Sequence, residues 1–248
     1  MNQAATAQTG SPIHAESQVA ANDGQPAPWQ ELAALFDHTL LKPEATHDQV
    51  VKLCEEAALY RFACAMVNPA WVALAHSVLA GSGVAVGTVV GFPLGASLAT
   101  TKRDEAIALL RLGARELDMV INIGQLKSSD NKAVCGDMRG VIQVAHDAGA
   151  VVKVILETCL LNVEEKLRGA HLALRAGADF LKTSTGFSTA GATVADVALL
   201  RGVAGDQCGV KAAGGIRTLA DARAMVHAGA NRLGASASVS ILRELGAV

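Results

Sequence analysis

The feature that most constrains this chain is a regular alternation of short apolar runs with amphipathic segments, which begins at about Leu35. Eight of the runs have the length of a β-strand, and most are too apolar to have one face in water. These runs are 35–41, 62–68, 85–91, 116–122, 151–157, 179–185, 209–215 and 232–236. Ala- and Leu-rich stretches with helical spacing separate them, such as 163–177 and 218–229. This alternation is typical of parallel sheets covered by helices.

Four Gly-Ala pairs support the same interpretation, because each follows a helical stretch and precedes an apolar run. Their glycines are Gly113, Gly149, Gly177 and Gly229, and a glycine in this place can adopt the left-handed conformation that ends a helix. Eight strand candidates predict a closed (β/α)8 TIM barrel in a single domain over residues 30–248. A doubly wound open sheet is the alternative, but no G-x-G-x-x-G sequence follows the first strand.

Composition excludes several other classes of protein. Hydrophobic residues make up 51% of the chain and charged residues 18%, which excludes global disorder. The net charge of −2 favours neither a nucleic-acid nor an anionic-membrane partner. No apolar stretch approaches the roughly 18–20 residues that span a bilayer, and five scattered cysteines suit a reducing, cytoplasmic compartment. Residues 1–29 lack the features of a signal peptide and are predicted to be a disordered tail.

Charged residues inside otherwise apolar strands identify the candidate site, because an unpaired buried charge is costly. They are Asp37 in the first run, Asp118 in the fourth, and Lys153, Lys182 and Lys211 in the fifth, sixth and seventh. A single strand lysine is usually a surface residue or half of an ion pair. A closed barrel has no edge strands, so three lysines on consecutive strands indicate a shared site in its lumen.

Lys182 is the candidate nucleophile. A free lysine has a pKa near 10.4, so about one in several thousand is neutral at pH 7. Burial in a mostly apolar lumen and the neighbouring cation Lys211 would both lower that pKa. Asp118 and Lys153 could neutralise each other or handle protons. This combination favours a class I aldolase that forms a Schiff base.

Small residues after the last strands suggest a phosphate site. Gly214 and Gly215 follow the seventh strand and Ser236 follows the eighth, and TIM barrels often bind phosphate in these loops. Gly186 follows the sixth strand and could contribute to the same site.

At this point the chain resembles the deoxyribose-phosphate aldolase family from about Leu35 to Leu245. The matching segments are 36–43, 87–95, 116–124, 151–158, 180–187, 210–218 and 232–236. The resemblance implies a TIM barrel that reversibly cleaves 2-deoxy-D-ribose 5-phosphate to acetaldehyde and D-glyceraldehyde 3-phosphate. It implies no cofactor or metal, and suggests a cytoplasmic homodimer or homotetramer.

The resemblance also assigns roles to individual residues. It implies that Lys182 of the K-T-S-T-G motif forms the Schiff base, that Lys211 perturbs it, that Asp118 donates and accepts the proton, and that Lys153 orients Asp118. The implied substrate-binding residues are Asp37, Thr39, Thr185, Gly186, Gly214, Gly215, Gly234 and Ser236. Of these, Asp37 and Thr39 are expected near the substrate hydroxyls.

Two positions depart from some family members. Phe187 stands where others have a lysine, and Ala237 where others have a second serine. Both adjoin the expected phosphate site.

Other functions also fit parts of the pattern. Another lysine-dependent aldolase or transaldolase is the nearest alternative, and a non-catalytic phosphosugar-binding barrel is the alternative from another class. A metal-dependent aldolase is disfavoured because no two histidines have i, i+4 spacing.

Overall fold

A computed structural model describes residue 1 and residues 27–247. Its described residues form eight strands and ten α-helices. The strands are β1 Phe36–Leu40, β2 Cys64–Val67, β3 Ala85–Val90, β4 Glu116–Val120, β5 Val151–Ile155, β6 Phe180–Lys182, β7 Gly209–Ala213 and β8 Arg232–Ala235. The helices are α1 Pro28–Ala33, α2 His47–Tyr60, α3 Val72–Val78, α4 Ala99–Arg111, α5 Ile123–Lys127, α6 Asn131–Asp147, α7 Val163–Ala176, α8 Val194–Ala204, α9 Leu219–His227 and α10 Ser238–Arg243.

All eight strands pair in parallel, each with its neighbours in the chain, and β8 pairs with β1. The predicted closed (β/α)8 barrel is therefore confirmed, and the open-sheet alternative is wrong. Each predicted strand run contains one observed strand. None of the helices among residues 27–247 combines the length and apolarity needed to cross a membrane.

Local sequence signals set the ends of the helices, and α7 is an example. The side chain of Asn162 accepts a hydrogen bond from the backbone of Glu165, and the Glu165 side chain accepts one from the Asn162 backbone. This capping box satisfies two N–H groups that otherwise lack partners. Gly177 ends the helix in the left-handed region at φ +95°, as the Gly-Ala pattern predicts.

Strand alternation divides the interior into two cores. Outward-facing residues such as Leu117, Val152 and Leu181 pack against the helices in a large aliphatic core. A smaller cluster lies on β2 and β3 and just after β1, and consists of Leu41, Cys64, Met66 and Val89. Successive side chains of a strand point to opposite faces, so residues of the smaller cluster lie on the lumen face.

The predicted tail, residues 1–29, lies largely outside the described residues. Its last two residues belong to α1, where Pro28 occupies the first turn. Trp29 packs edge-on against Tyr60 of α2, with ring centroids 6.2 Å apart. The helical structure therefore begins two residues before the predicted boundary, because Trp29 contributes apolar surface to the core.

Outside the barrel, Lys102 of α4 and Asp137 of α6 form a buried ion pair. Lys102 Nζ lies 2.5 Å from Asp137 Oδ2 and donates to the carbonyl of Val120 at 2.9 Å. The side chains are 0% and 3% exposed. The pair thus joins two helices to the C-terminal end of β4.

We expect Lys102→Met to lower the free energy of unfolding by about 3–5 kcal/mol, because it leaves Asp137 buried without its partner. The matched control is Arg103→Ala, which breaks the exposed Arg103–Asp104 pair on the same helix and should cost less than about 1 kcal/mol. Urea unfolding followed by circular dichroism measures both. The double variant Lys102→Met/Asp137→Leu should recover part of the loss. Equal effects of the two single variants would contradict this account.

Candidate active site

A cavity of about 340 Å³ opens at the C-terminal ends of the strands, where TIM-barrel active sites lie. It brings together most of the residues that the sequence singles out, which belong to β1, β6, β7, β8 and the loops after these strands. They are Thr39, Lys182, Thr185, Gly186, Lys211, Gly214, Gly215, Gly234 and Ser236. The three remaining candidates, Asp37, Asp118 and Lys153, are fully buried beneath the cavity.

Lys182 and Lys211 are direct neighbours, since the β6–β7 register pairs one with the other. Their side chains are 3% and 1% exposed. The same carboxylate oxygen, Oδ2 of Asp118, lies 2.7 Å from Lys182 Nζ and 2.6 Å from Lys211 Nζ. Asp118 therefore bridges the two lysines at the floor of the cavity.

Asp37 and Lys153 extend this network downward. Lys153 Nζ lies 2.9 Å from Asp118 Oδ1 and 3.2 Å from Asp37 Oδ2, and Asp37 also pairs with Lys211. Of the described residues, Asp37 is not one that lines the cavity, although the resemblance placed it near the substrate hydroxyls. Thr39 does line the cavity, and its hydroxyl donates to the carbonyl of Asp37 at 2.8 Å.

Two members of the network had no assigned role in the sequence interpretation. Arg232, at the start of β8, donates to Asp37 Oδ1 at 2.7 Å and contacts Glu116 Oε2 at 3.2 Å. Glu116 also lies 2.5 Å from Lys153 Nζ. Strand periodicity carries a signal for Glu116, because it precedes Asp118 by two positions and so points to the same face.

The network contains three carboxylates and four basic side chains. The carboxylates are Asp37, Glu116 and Asp118, and the bases are Lys153, Lys182, Lys211 and Arg232. The charges balance when one base is neutral. Burial lowers the pKa of Lys182 from its ordinary 10.5 to about 8; Asp118 opposes the lowering, and the charges of Lys211 and Lys153 add to it. Lys182 therefore loses its proton more readily than a free lysine does.

The partners of Lys182 remain charged. Burial alone favours neutral Asp118, but Lys153, Lys182 and Lys211 hold the pKa of this carboxyl well below its ordinary value. Burial likewise opposes the charge of Lys153, yet Asp118, Asp37 and Glu116 raise its pKa well above the usual range. The sequence predicted a mostly apolar lumen around Lys182. That prediction is wrong, because ion pairs from β1, β4, β5, β7 and β8 converge there.

The apolar part of the lumen lies on the other side of the cavity. Leu41 and Met66 line it together with Lys182, and both belong to the cluster that includes Cys64 and Val89. The cavity therefore has one charged wall and one apolar wall. Sequence reasoning did not identify the apolar wall, since aliphatic residues are common throughout this chain.

The loops after β6 and β7 bring glycine backbone to the cavity. Gly186, Gly214 and Gly215 all have positive φ, between +81° and +87°, so a side chain at any of them would be strained. Among residues the sequence interpretation left unassigned, the basic side chains of Lys42 and Arg217 also line the cavity. These positions combine backbone N–H groups with positive charge, which suits an anion.

Phe187, one of the two departures noted in the sequence, also lines the cavity. Phe187 is 48% exposed, and its ring packs edge-on against that of Phe92, with centroids 5.3 Å apart. The departure noted in the sequence therefore lies at the cavity rim.

Asp37, Cys64 and Glu116 place one possible metal-ligand atom each within 4.8 Å of one another. Both carboxylates already bind Arg232. Burial and the charges of Glu116 and Asp37 raise the pKa of the Cys64 thiol well above its ordinary value. A metal ion would have to displace these ion pairs, and this donor set therefore does not fit a metal site.

Known proteins match this chain over most of its length. The model of the DeoC/LacD family of aldolases matches residues 32–245. Deoxyribose-phosphate aldolases of Bacillus mycoides and Bacillus cytotoxicus are 56% and 54% identical over 211 residues, which is 85% of this chain and 94% of each relative. The structure of the tetrameric deoxyribose phosphate aldolase of Aeropyrum pernix superposes with a TM-score of 0.83 at 38% identity, and covers 88% of this chain and 92% of that one. The resemblance stated from the motifs is confirmed: the chain belongs to the DeoC/LacD family of aldolases and is a lyase.

Proposed function

We propose that this enzyme reversibly cleaves 2-deoxy-D-ribose 5-phosphate to acetaldehyde and D-glyceraldehyde 3-phosphate through a Schiff base on Lys182. The observation that carries the proposal is the position of Lys182 at the cavity floor, buried and bound to Asp118 at 2.7 Å. A pKa of about 8 leaves about one lysine in ten neutral at pH 7, against one in several thousand for a free lysine. The amine is therefore available as a nucleophile.

The proposed reaction begins when the neutral amine of Lys182 attacks the C1 aldehyde of the open-chain sugar. Loss of water gives the iminium ion. The C3 hydroxyl then loses its proton, the C2–C3 bond breaks, and the bond electrons move into the iminium to form an enamine. D-Glyceraldehyde 3-phosphate leaves, C2 is protonated, and hydrolysis releases acetaldehyde and the free lysine.

Asp118 supports the proton transfers in this scheme. It is the carboxylate that contacts Lys182 Nζ directly, and it can move protons directly or through water. Lys153, which is buried beneath the cavity, holds this carboxylate in place, with its Nζ 2.9 Å from Asp118 Oδ1. The charge of Lys211 lowers the pKa of Lys182 and so disfavours its ammonium form.

The apolar wall and the glycine loops of the cavity suit the two ends of the substrate. Leu41 and Met66 offer apolar surface to the two-carbon acetaldehyde unit. We propose that phosphate binds at the glycine loops, where Ser236 adds a hydroxyl and Arg217 and Lys42 add positive charge. Lys42 and Arg217 can supply positive charge at this site, which the uncharged ring of Phe187 cannot.

We further propose a cytoplasmic homodimer or homotetramer. The support for an oligomer is the tetramer described for the Aeropyrum pernix relative.

Reduction with borohydride in the presence of acetaldehyde should attach a two-carbon adduct to Lys182, because borohydride reduces an iminium ion to a stable amine. Peptide mass spectrometry identifies the modified residue. Lys182→Met is the matched control and should give neither adduct nor turnover. An adduct on another residue, or no adduct at all, would refute the Schiff-base proposal.

Turnover should persist in the presence of a chelator. A panel of aldehydes, each tested with D-glyceraldehyde 3-phosphate, distinguishes this activity from that of other lysine-dependent aldolases and of transaldolases.

Lys211→Leu should raise the pKa of Lys182 above about 8, because it removes the neighbouring cation and leaves Asp118 to stabilise the ammonium form. The neutral fraction of Lys182 rises with pH through its pKa. In Lys211→Leu, the ascending limb of the rate of Lys182 acetylation against pH should therefore move to higher pH. Trace acetylation of Lys182 across pH, read by mass spectrometry, measures this without any substrate. Lys211→Arg keeps the charge and should leave the limb near that of the parent protein. An unchanged limb in Lys211→Leu would refute the role given to Lys211.

A further inference from the structure

Glu157 is a buried carboxylate that the proposed reaction does not use. It follows β5, is 2% exposed, and is not one of the described residues that line the cavity. Its backbone lies in the left-handed region at φ +56° and ψ +63°, which is uncommon for a residue other than glycine. Such a conformation persists only where surrounding contacts fix it.

The contacts that hold Glu157 lead to a wall of the cavity. Both carboxylate oxygens accept hydrogen bonds from the backbone N–H of Thr185 at 3.3 Å. The hydroxyl of Thr185 also donates to Glu157 Oε2, and the same hydroxyl oxygen accepts from the N–H of Phe187 at 3.0 Å. A continuous chain of hydrogen bonds therefore runs from Glu157 to Phe187 and encloses Gly186.

The far end of this loop is also fixed. The N–H of Ala192 donates to the carbonyl of Gly214 at 3.0 Å, and the Gly191 backbone packs so closely on Gly214 that no side chain would fit. Residues 185–192 are therefore held by Glu157 at one end and by the loop after β7 at the other. Glu157 is the side-chain component of this attachment.

We propose that Glu157 is a positioning residue that fixes the Thr185–Phe187 wall where the phosphate of the substrate binds. It acts through Thr185 and does not touch the substrate. Hydrogen bonds to a carboxylate are stronger than those to a neutral acceptor. The inference rests on the proposed function, because it assigns Glu157 to phosphate affinity and leaves the chemistry at Lys182 untouched.

The experiment compares Glu157→Ala, Glu157→Gln and Thr158→Val in the cleavage of 2-deoxy-D-ribose 5-phosphate. Loss of a charge-assisted hydrogen bond predicts that Glu157→Ala raises KM about 10- to 100-fold, with kcat within about threefold. Glu157→Gln keeps one acceptor oxygen and should give an intermediate KM. Thr158→Val is the matched control, because Thr158 is adjacent and buried and its hydroxyl has no partner among the described residues.

A second measurement separates positioning from general damage. Borohydride trapping of acetaldehyde on Lys182 needs no phosphate site, so its rate should be the same in the parent protein and all three variants. An unchanged KM in both Glu157 variants, a loss confined to kcat, or the same KM rise in Thr158→Val would overturn the inference. Loss of trapping in Glu157→Gln would overturn it as well. If the parent protein itself gives neither adduct nor turnover, the proposed function fails instead.

Discussion

The bridge that Asp118 forms between Lys182 and Lys211 is the contact on which the rest of the site depends. Three lysine amines lie within 2.6–2.9 Å of this one carboxylate. Without it, like charges would face each other in a region removed from water, where an uncompensated ion costs several kcal/mol. Asp118 can occupy this place because β4 is buried on both sides and lies beside the strand that carries Lys153.

Charge balance in the same cluster links structure to the proposed chemistry. Asp37, Glu116 and Asp118 neutralise three of the four bases. A protonated Lys182 therefore adds an excess positive charge, and burial favours its release as a proton. Arg232 has no comparable freedom, because a guanidinium is effectively always protonated. The barrel thus surrounds Lys182 with charged side chains, and burial there lowers its pKa to about 8.

The cavity walls come from parts of the chain with different physical requirements. Strand residues supply the charged floor, and Met66 of β2 and Leu41 directly after β1 supply the apolar wall. The glycine loops supply the proposed anion site, and their shape requires positive φ. Such loops lack the repeated pairing of a sheet, so side chains must fix them. Glu157 fills this role for the loop after β6 by binding Thr185.

The sequence by itself determined the barrel, its strands and the strand positions of Lys182, Lys211, Asp118 and Lys153. The alternation of apolar runs with helical stretches, and the charged residues within those runs, can be read from short segments of the chain. Eight consecutive β–α units then predict a closed barrel. Only the tertiary structure decided which charges pair. In the folded protein Asp37 pairs with Lys211, and Arg232 contacts Glu116, which is 116 residues away in the chain. It also placed Glu157 behind the loop at Thr185. Partner choice depends on register and on distances across a closed lumen, and no spacing along the chain encodes those distances.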